Sequence, residues 1–254
     1  MLLDFSSLET CNETLSKLLT IPLNRIDDIV KPHCNDDISP YINTEVFSNI
    51  NDLSTTFYHF ATSEGSESFE RNGIVNLQEV LSSDNFLNKF LAEKNIKFDV
   101  ERKLLFFREK QFSLEVKNDD ILKPIERRIY YDYNVNGFYL CDPYSPSRYS
   151  IIDNEPEFLN SILSVVIRNQ PSIDSIIDEW RKRTNLYLVK AIVPFYKIDL
   201  NTDKEDFPLF IVSKLIDIFL AKSSTLKTDD RYIVYLKREE KVASNEIKSI
   251  TKLN

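Results

Sequence analysis

The sequence holds two histidines, His33 and His59, and three cysteines, Cys11, Cys34 and Cys141. These are the side chains best suited to acid-base or nucleophilic work near neutral pH. His33 sits in Lys31-Pro32-His33-Cys34 and has no catalytic neighbour there. His59 lies inside an aromatic run, Phe57-Tyr58-His59-Phe60, that leads at once into Ala61-Thr62-Ser63. Its plainest role is that of a core-edge histidine hydrogen-bonded to backbone. Cys141 and His59 would make a nucleophile and a base, but no third group orients them, and a strand cysteine is ordinarily a packing residue. The cysteines form no C-x-x-C pair, so they read as buried thiols, and neither a zinc site nor a disulfide framework is expected. The carboxylate pairs Asp27-Asp28, Asp36-Asp37 and Asp119-Asp120 fall in loop-like settings and read as solvated charge or helix caps. Glycine occurs three times, at Gly65, Gly73 and Gly137, which excludes the Gly-rich phosphate loops of the two commonest nucleotide sites.

The elements that must hold these residues follow from apolar spacing. Leu8, Cys11, Leu15, Leu18 and Leu19 share a helical face with Ser6 and Glu9 as a capping box, and Ile26, Ile29 and Val30 repeat the spacing. Pro22, Pro32 and Pro40 cut this region into short pieces, so residues 1–52 read as a helical N-terminal cap or partner surface and residues 53–254 as the main domain. A strand from Thr56 through Phe60 puts Phe57 and His59 on one side. Ser66 to Asn72 reads as a helix ended by Gly73, and Ser83 caps a helix carrying Phe86, Leu87, Phe90 and Leu91.

Phe112, Leu114 and Val116 alternate as a strand within 104–116, and Ile129 to Tyr133 reads as another. Asn136-Gly137 signals a turn before a strand over Phe138-Tyr139-Leu140-Cys141. Helices are expected after Pro156, through Phe158, Leu159, Ile162 and Leu163, and after Ser172, with Ile173, Ile176, Ile177 and Trp180 as the stripe. Tyr187 to Val193 reads as a buried strand, Phe207 to Leu220 as an amphipathic helix, and Tyr232 to Leu236 as the final strand. A short helix from Ser244 through Ile250 closes the chain. Strands and helices do not alternate strictly, so an α+β sheet is expected in place of a doubly wound one.

Over 254 residues, 42% hydrophobic and 28% charged side chains are the balance of a chain with a sizeable core. No apolar run reaches the ~18 residues of a membrane span, and Met1-Leu2-Leu3-Asp4 lacks the basic region of a signal peptide, so a cytoplasmic location is expected. A net charge of -8 argues against broad attachment to nucleic acid. The basic clusters Arg127-Arg128, Arg181-Lys182-Arg183 and Lys237-Arg238 stand beside acidic residues and read as solvated faces.

The run Phe57-Tyr58-His59-Phe60-Ala61-Thr62, a short helix, then Asn72-Gly73-Ile74 resembles the opening of ADP-ribosyltransferase-like domains. In that family a Tyr-His-x-Thr strand precedes a helix ending in a Gly-apolar step, and Thr62 falls one place later than that form expects. Asn136-Gly137-Phe138-Tyr139-Leu140-Cys141-Asp142 followed by Ser147-Arg148-Tyr149 is similar to the family's second motif. The resemblance implies that His59 binds the nicotinamide-side ribose of NAD and that Tyr149 stacks on nicotinamide, with Tyr139 and Tyr144 as lesser candidates. The family's third element is a carboxylate, usually glutamate, opening a late strand, where it steadies oxocarbenium character. Here Asp229-Asp230-Arg231 precede Tyr232-Ile233-Val234-Tyr235-Leu236, and no glutamate occupies that place. Asp230 is the candidate, with Asp229, Glu239 and Glu240 as alternatives. Arg71 and Arg148 neighbour the two motifs and suit the phosphates of NAD.

The resemblance spans roughly residues 55 to 250. It implies a mixed, largely antiparallel sheet with flanking helices, NAD as substrate, and ADP-ribosyl transfer to a protein or nucleic-acid target, as in bacterial toxin or phage-defence systems. His59, Tyr149 and Asp230 would be catalytic, and His59, Thr62, Arg71, Tyr139 and Arg148 would hold NAD. The alternative is a non-catalytic interaction protein that keeps the sheet and binds a macromolecular partner through its N-terminal helices or an acidic face.

Overall fold

A computed structural model describes residues 1–22, 39–115, 121–132, 134–139, 155–167, 170–199, 208–213, 215–216 and 233–253. In chain order the elements are β1 (Leu2–Leu3), α1 (Leu8–Leu18), β2 (Ser54–Ser63), α2 (Glu67–Asn72), α3 (Leu77–Ser82), α4 (Phe86–Glu93), β3 (Ile96–Asp99), β4 (Leu104–Phe107), β5 (Lys110–Ser113) and α5 (Lys123–Tyr130). They continue with β6 (Asn136–Phe138), α6 (Glu157–Val166), α7 (Gln170–Arg183), β7 (Asn185–Pro194), β8 (Ile198–Asp199), β9 (Ile233–Leu236) and β10 (Ile247–Leu253). The architecture is α+β. Seven strands run β10-β7-β2-β6-β9-β8 with β1 added beside β2, and β3-β4-β5 make a separate sheet. Pairing is antiparallel between β2 and β6, β6 and β9, and β8 and β9, and parallel between β1 and β2.

The chain divides into two compact units. The first is Met1–His59, Asn136–Asp142 and Lys190–Leu236, so residues 1–52, expected as an N-terminal cap, share it with β6, β8 and β9. Leu2 pairs with Ser54 and Leu3 with Thr55. Ser7 caps α1 reciprocally with Thr10, one residue later than the expected box, and Cys11, Leu15 and Leu18 are buried on its apolar face. Residues 208–213 and 215–216 are helical within the expected amphipathic segment, with Ile211, Val212, Leu215 and Ile216 buried.

The second unit is Phe60–Val135, Pro143–Val189 and Lys237–Asn254. Its core gathers α3 to α7 and one face of the three-stranded sheet around Trp180. Phe90 meets the indole edge-on at 5.1 Å between ring centroids, and Phe86 lies at 5.3 Å. Arg183, one turn along α7, lies over both phenyl rings and bonds Glu93 and Glu179. The Arg183 bond holds the Glu93 carboxyl below its ordinary range, and bonds from Lys94 and then Arg183 do the same for Glu179.

Several expected elements differ. Residues 129–132 of the strand expected to reach Tyr133 are not extended: Pro124 stands in the first turn of α5, Ile125 and Ile129 bury one face, and Arg128 pairs with Asp132 one turn on at 3.0 Å, while Tyr133 lies outside the described residues. The aromatic content of that stretch favours a strand, but the helical spacing of its buried isoleucines prevails. Asn85, not Ser83, caps α4. The single strand expected within 104–116 is a hairpin, β4 paired with β5. Asn136-Gly137 lies within β6, paired with Tyr235 and Val234, and makes no turn. The closing helix is one 3-10 turn, Ser244–Glu246, followed by β10, where β-branched Ile247, Ile250 and Thr251 suit an extended chain beside β7. The final strand is therefore β10 and not Ile233–Leu236. Ile26, Ile29, Val30, His33, Cys34 and Val116 lie outside the described residues.

Candidate functional site

β2 and β6 build the surroundings of His59. Tyr58 pairs with Phe138 in antiparallel register, and the Asn136 carbonyl lies 2.7 Å from His59 Nδ1. A carbonyl oxygen only accepts, so Nδ1 carries the proton and the neutral ring keeps its lone pair on Nε2. Nε2 has no hydrogen-bond partner among the described residues. The ring touches solvent over part of its surface, yet protein surrounds it closely enough to desolvate it. That desolvation lowers its pKa, and the bond to Asn136 offsets only part of the effect. At neutral pH His59 is an uncharged acceptor held in one tautomer.

Gly137 makes this arrangement possible. A Cβ there would stand 2.5 Å from Phe57 Cζ and 2.5 Å from the Tyr58 carbonyl oxygen, so only glycine lets the Phe57 ring cross β6. Phe57 then lies beside the imidazole, 6.5 Å between centroids and 15° from parallel, on the side expected from strand alternation.

Tyr139 cannot stack on a ligand from this position. It is 2% exposed and its ring packs on Phe5 at 4.9 Å. The buried Thr56 hydroxyl fixes it there, accepting from the Phe5 amide and donating to the Tyr139 carbonyl, both at 3.2 Å. Burial also pushes the Tyr139 phenol well above its usual range. Within the first unit the expected set therefore comes down to His59 at the solvent boundary and Tyr139 in the core. Tyr144, Arg148, Tyr149, Asp229, Asp230 and Cys141 lie outside the described residues.

The second unit holds the remaining candidates. Thr62 is half-buried on β2, three residues beyond His59, a spacing that turns the two side chains to opposite faces of an extended strand. Arg71 is exposed on α2 and its Nε donates to the Glu67 carbonyl one turn back, at 3.3 Å. An open cleft of about 350 Å³ lies between α2 and β10, lined by Ser66, Glu70, Ser244, Lys248 and Ile250 among others, and by none of the expected residues.

Of the basic clusters, Arg128 bonds Asp132 and Glu157, and Arg181 bonds Glu155 and Asp178, which ties both into surface ion pairs. Cys11 is a buried thiol. Among the described residues no cluster of His, Cys, Asp and Glu suits a metal ion, and no helix is long and apolar enough to cross a membrane. Sequence reading missed Thr56, Asn136 and Gly137 as positioning residues. The Asn-Gly pair was visible, but only the crossing Phe57 ring distinguishes a glycine that admits a neighbour from one that makes a turn.

No family model matches the chain, and no curated protein or solved structure is significantly similar to it.

Proposed function

We propose that this chain is a cytoplasmic ADP-ribosyltransferase-like protein that binds NAD with His59 against the nicotinamide ribose. The observation that carries this reading is the single tautomer of His59, whose Nδ1 is taken by the Asn136 carbonyl while Nε2 has no partner among the described residues. A ribose hydroxyl is a donor of the right kind for that nitrogen. On this reading the sheet is of the ADP-ribosyltransferase-like type, Tyr149 stacks on nicotinamide, Arg71 and Arg148 contribute to holding NAD, Thr62 faces away from His59 across β2 and takes no part, and Tyr139 acts only by packing. Asp230 would supply the late carboxylate. The bond from the ribose to nicotinamide breaks, a nucleophile on a protein or nucleic acid bonds to the same ribose carbon, and nicotinamide leaves.

A second reading, a non-catalytic relative that binds a macromolecular partner, is favoured by the lack of a glutamate before β9, where Asp229-Asp230-Arg231 stand. One experiment addresses both. Purified chain is mixed with labelled NAD and candidate targets, alongside His59→Ala and Asp230→Asn. The transferase reading expects NAD binding that His59→Ala weakens at least about tenfold, as for loss of a hydrogen bond in a desolvated site. It also expects label transfer that Asp230→Asn removes. Binding without transfer selects the second reading, and absence of both removes the enzyme.

A further inference from the structure

The cleft between α2 and β10 adjoins a feature that the NAD reading does not use. β10 is the terminal strand of its sheet, with β7 as its neighbour, so its other edge has no strand partner among the described residues. An open edge presents unpaired backbone N–H and C=O groups to any extended chain that can approach. Lys248, Ser249, Thr251 and Lys252 are all exposed, while Ile247, Ile250 and Leu253 are half-buried.

The charge on this edge is of one sign. The chain carries a net charge of -8, yet residues 247–253 contain two lysines and no carboxylate. Neither Lys248 nor Lys252 has an ion-pair partner among the described residues. The two carboxylates closest in sequence or cleft are occupied: Glu246 accepts from the Ala243 amide at 2.7 Å, and Glu70 accepts from the Ser66 hydroxyl at 3.2 Å.

We propose that the open edge of β10 accepts an extended, acidic segment of a partner protein as an added strand. Backbone pairing supplies affinity in this mode of recognition, and alternate side chains supply selectivity. Strand alternation places Lys248, Ile250 and Lys252 on one face, so the matching segment carries carboxylate, apolar and carboxylate side chains at every second position. A second copy of this chain fits poorly, because antiparallel pairing about Ile250 sets Lys248 against Lys252 of the other copy. Edge lysines thus repel basic and self-similar strands and select acidic ones.

The test uses the full isotope-labelled chain and a short synthetic peptide with glutamate, valine and glutamate at alternate positions. Binding is expected to shift and protect amides of residues 247–253 and of the cleft. N-methylation of the peptide's pairing amides should abolish it. The double variant Lys248→Glu, Lys252→Glu, altered only at exposed positions, should bind the acidic peptide roughly tenfold more weakly and prefer its lysine counterpart. No response at β10, equal binding of the N-methylated peptide, preference for a DNA duplex at the same amides, or self-association through β10 in ultracentrifugation would each overturn the proposal. NAD binding by the same sample is scored separately, so failure here leaves the NAD reading standing, and the converse holds.

Discussion

Trp180 in the second unit and His59 in the first are both nitrogen heterocycles set among aromatic rings, and they are used in opposite ways. The Trp180 indole is 2% exposed and its Nε1 has no hydrogen-bond partner among the described residues, so it acts as apolar bulk. His59 is only half-buried, and its Nδ1 is held by the Asn136 carbonyl. Aromatic surroundings therefore do not by themselves mark a site. What separates the two is whether the ring nitrogens are fixed in role and reachable from solvent.

Breaking the Trp180 side of this contrast should have the largest effect. Trp180→Ala empties the centre of the second unit's core and should lower stability by about 3–5 kcal/mol, read from chemical denaturation. A loss smaller than that of a surface substitution would mean the aromatic cluster is not the core it resembles. The His59 side is broken most cleanly through its neighbour. Gly137→Val forces Phe57 or β6 to move and should cost about 1–3 kcal/mol, with the His59 ring signals shifting in the same spectrum. An unperturbed imidazole in that variant would separate Gly137 from the positioning of His59.

The smallest effect, and the most specific, is on pH dependence. His59 has a lowered folded-state pKa, so the folded protein disfavours the charged ring. Its contribution to stability is complete above the unfolded value of about 6.5 and falls as pH drops through the folded pKa. In a series of melting temperatures, the parent should therefore lose stability relative to His59→Gln below about pH 6.5. Curves that stay parallel would show that the ring is not desolvated.

Local pattern carried much of the fold. The face of α1, the Gly73 stop after α2 and the Trp180 stripe of α7 lie near where apolar period and capping chemistry put them, because these depend on residues within a few turns of one another. Failures came where a distant segment decides. Ile129 to Tyr130 have strand-forming side chains, and packing of Ile125 and Ile129 into the second unit's core makes them helical. Ser244 to Ile250 could start a helix, and pairing with β7 extends most of it.

The site divides in the same way. Sequence alone determined that His59 sits in a strand beside Phe57, that no Gly-rich phosphate loop exists, and that any nucleotide must be bound by other means. Tertiary structure decided that Tyr139 is core, that Gly137 admits a ring in place of making a turn, and that Nδ1 of His59 is the protonated nitrogen. Each of these depends on contacts across about eighty residues of chain, such as His59 with Asn136, 77 positions apart. A periodic pattern records which way a side chain points along its own element, whereas the group it meets is set by the strand laid against it.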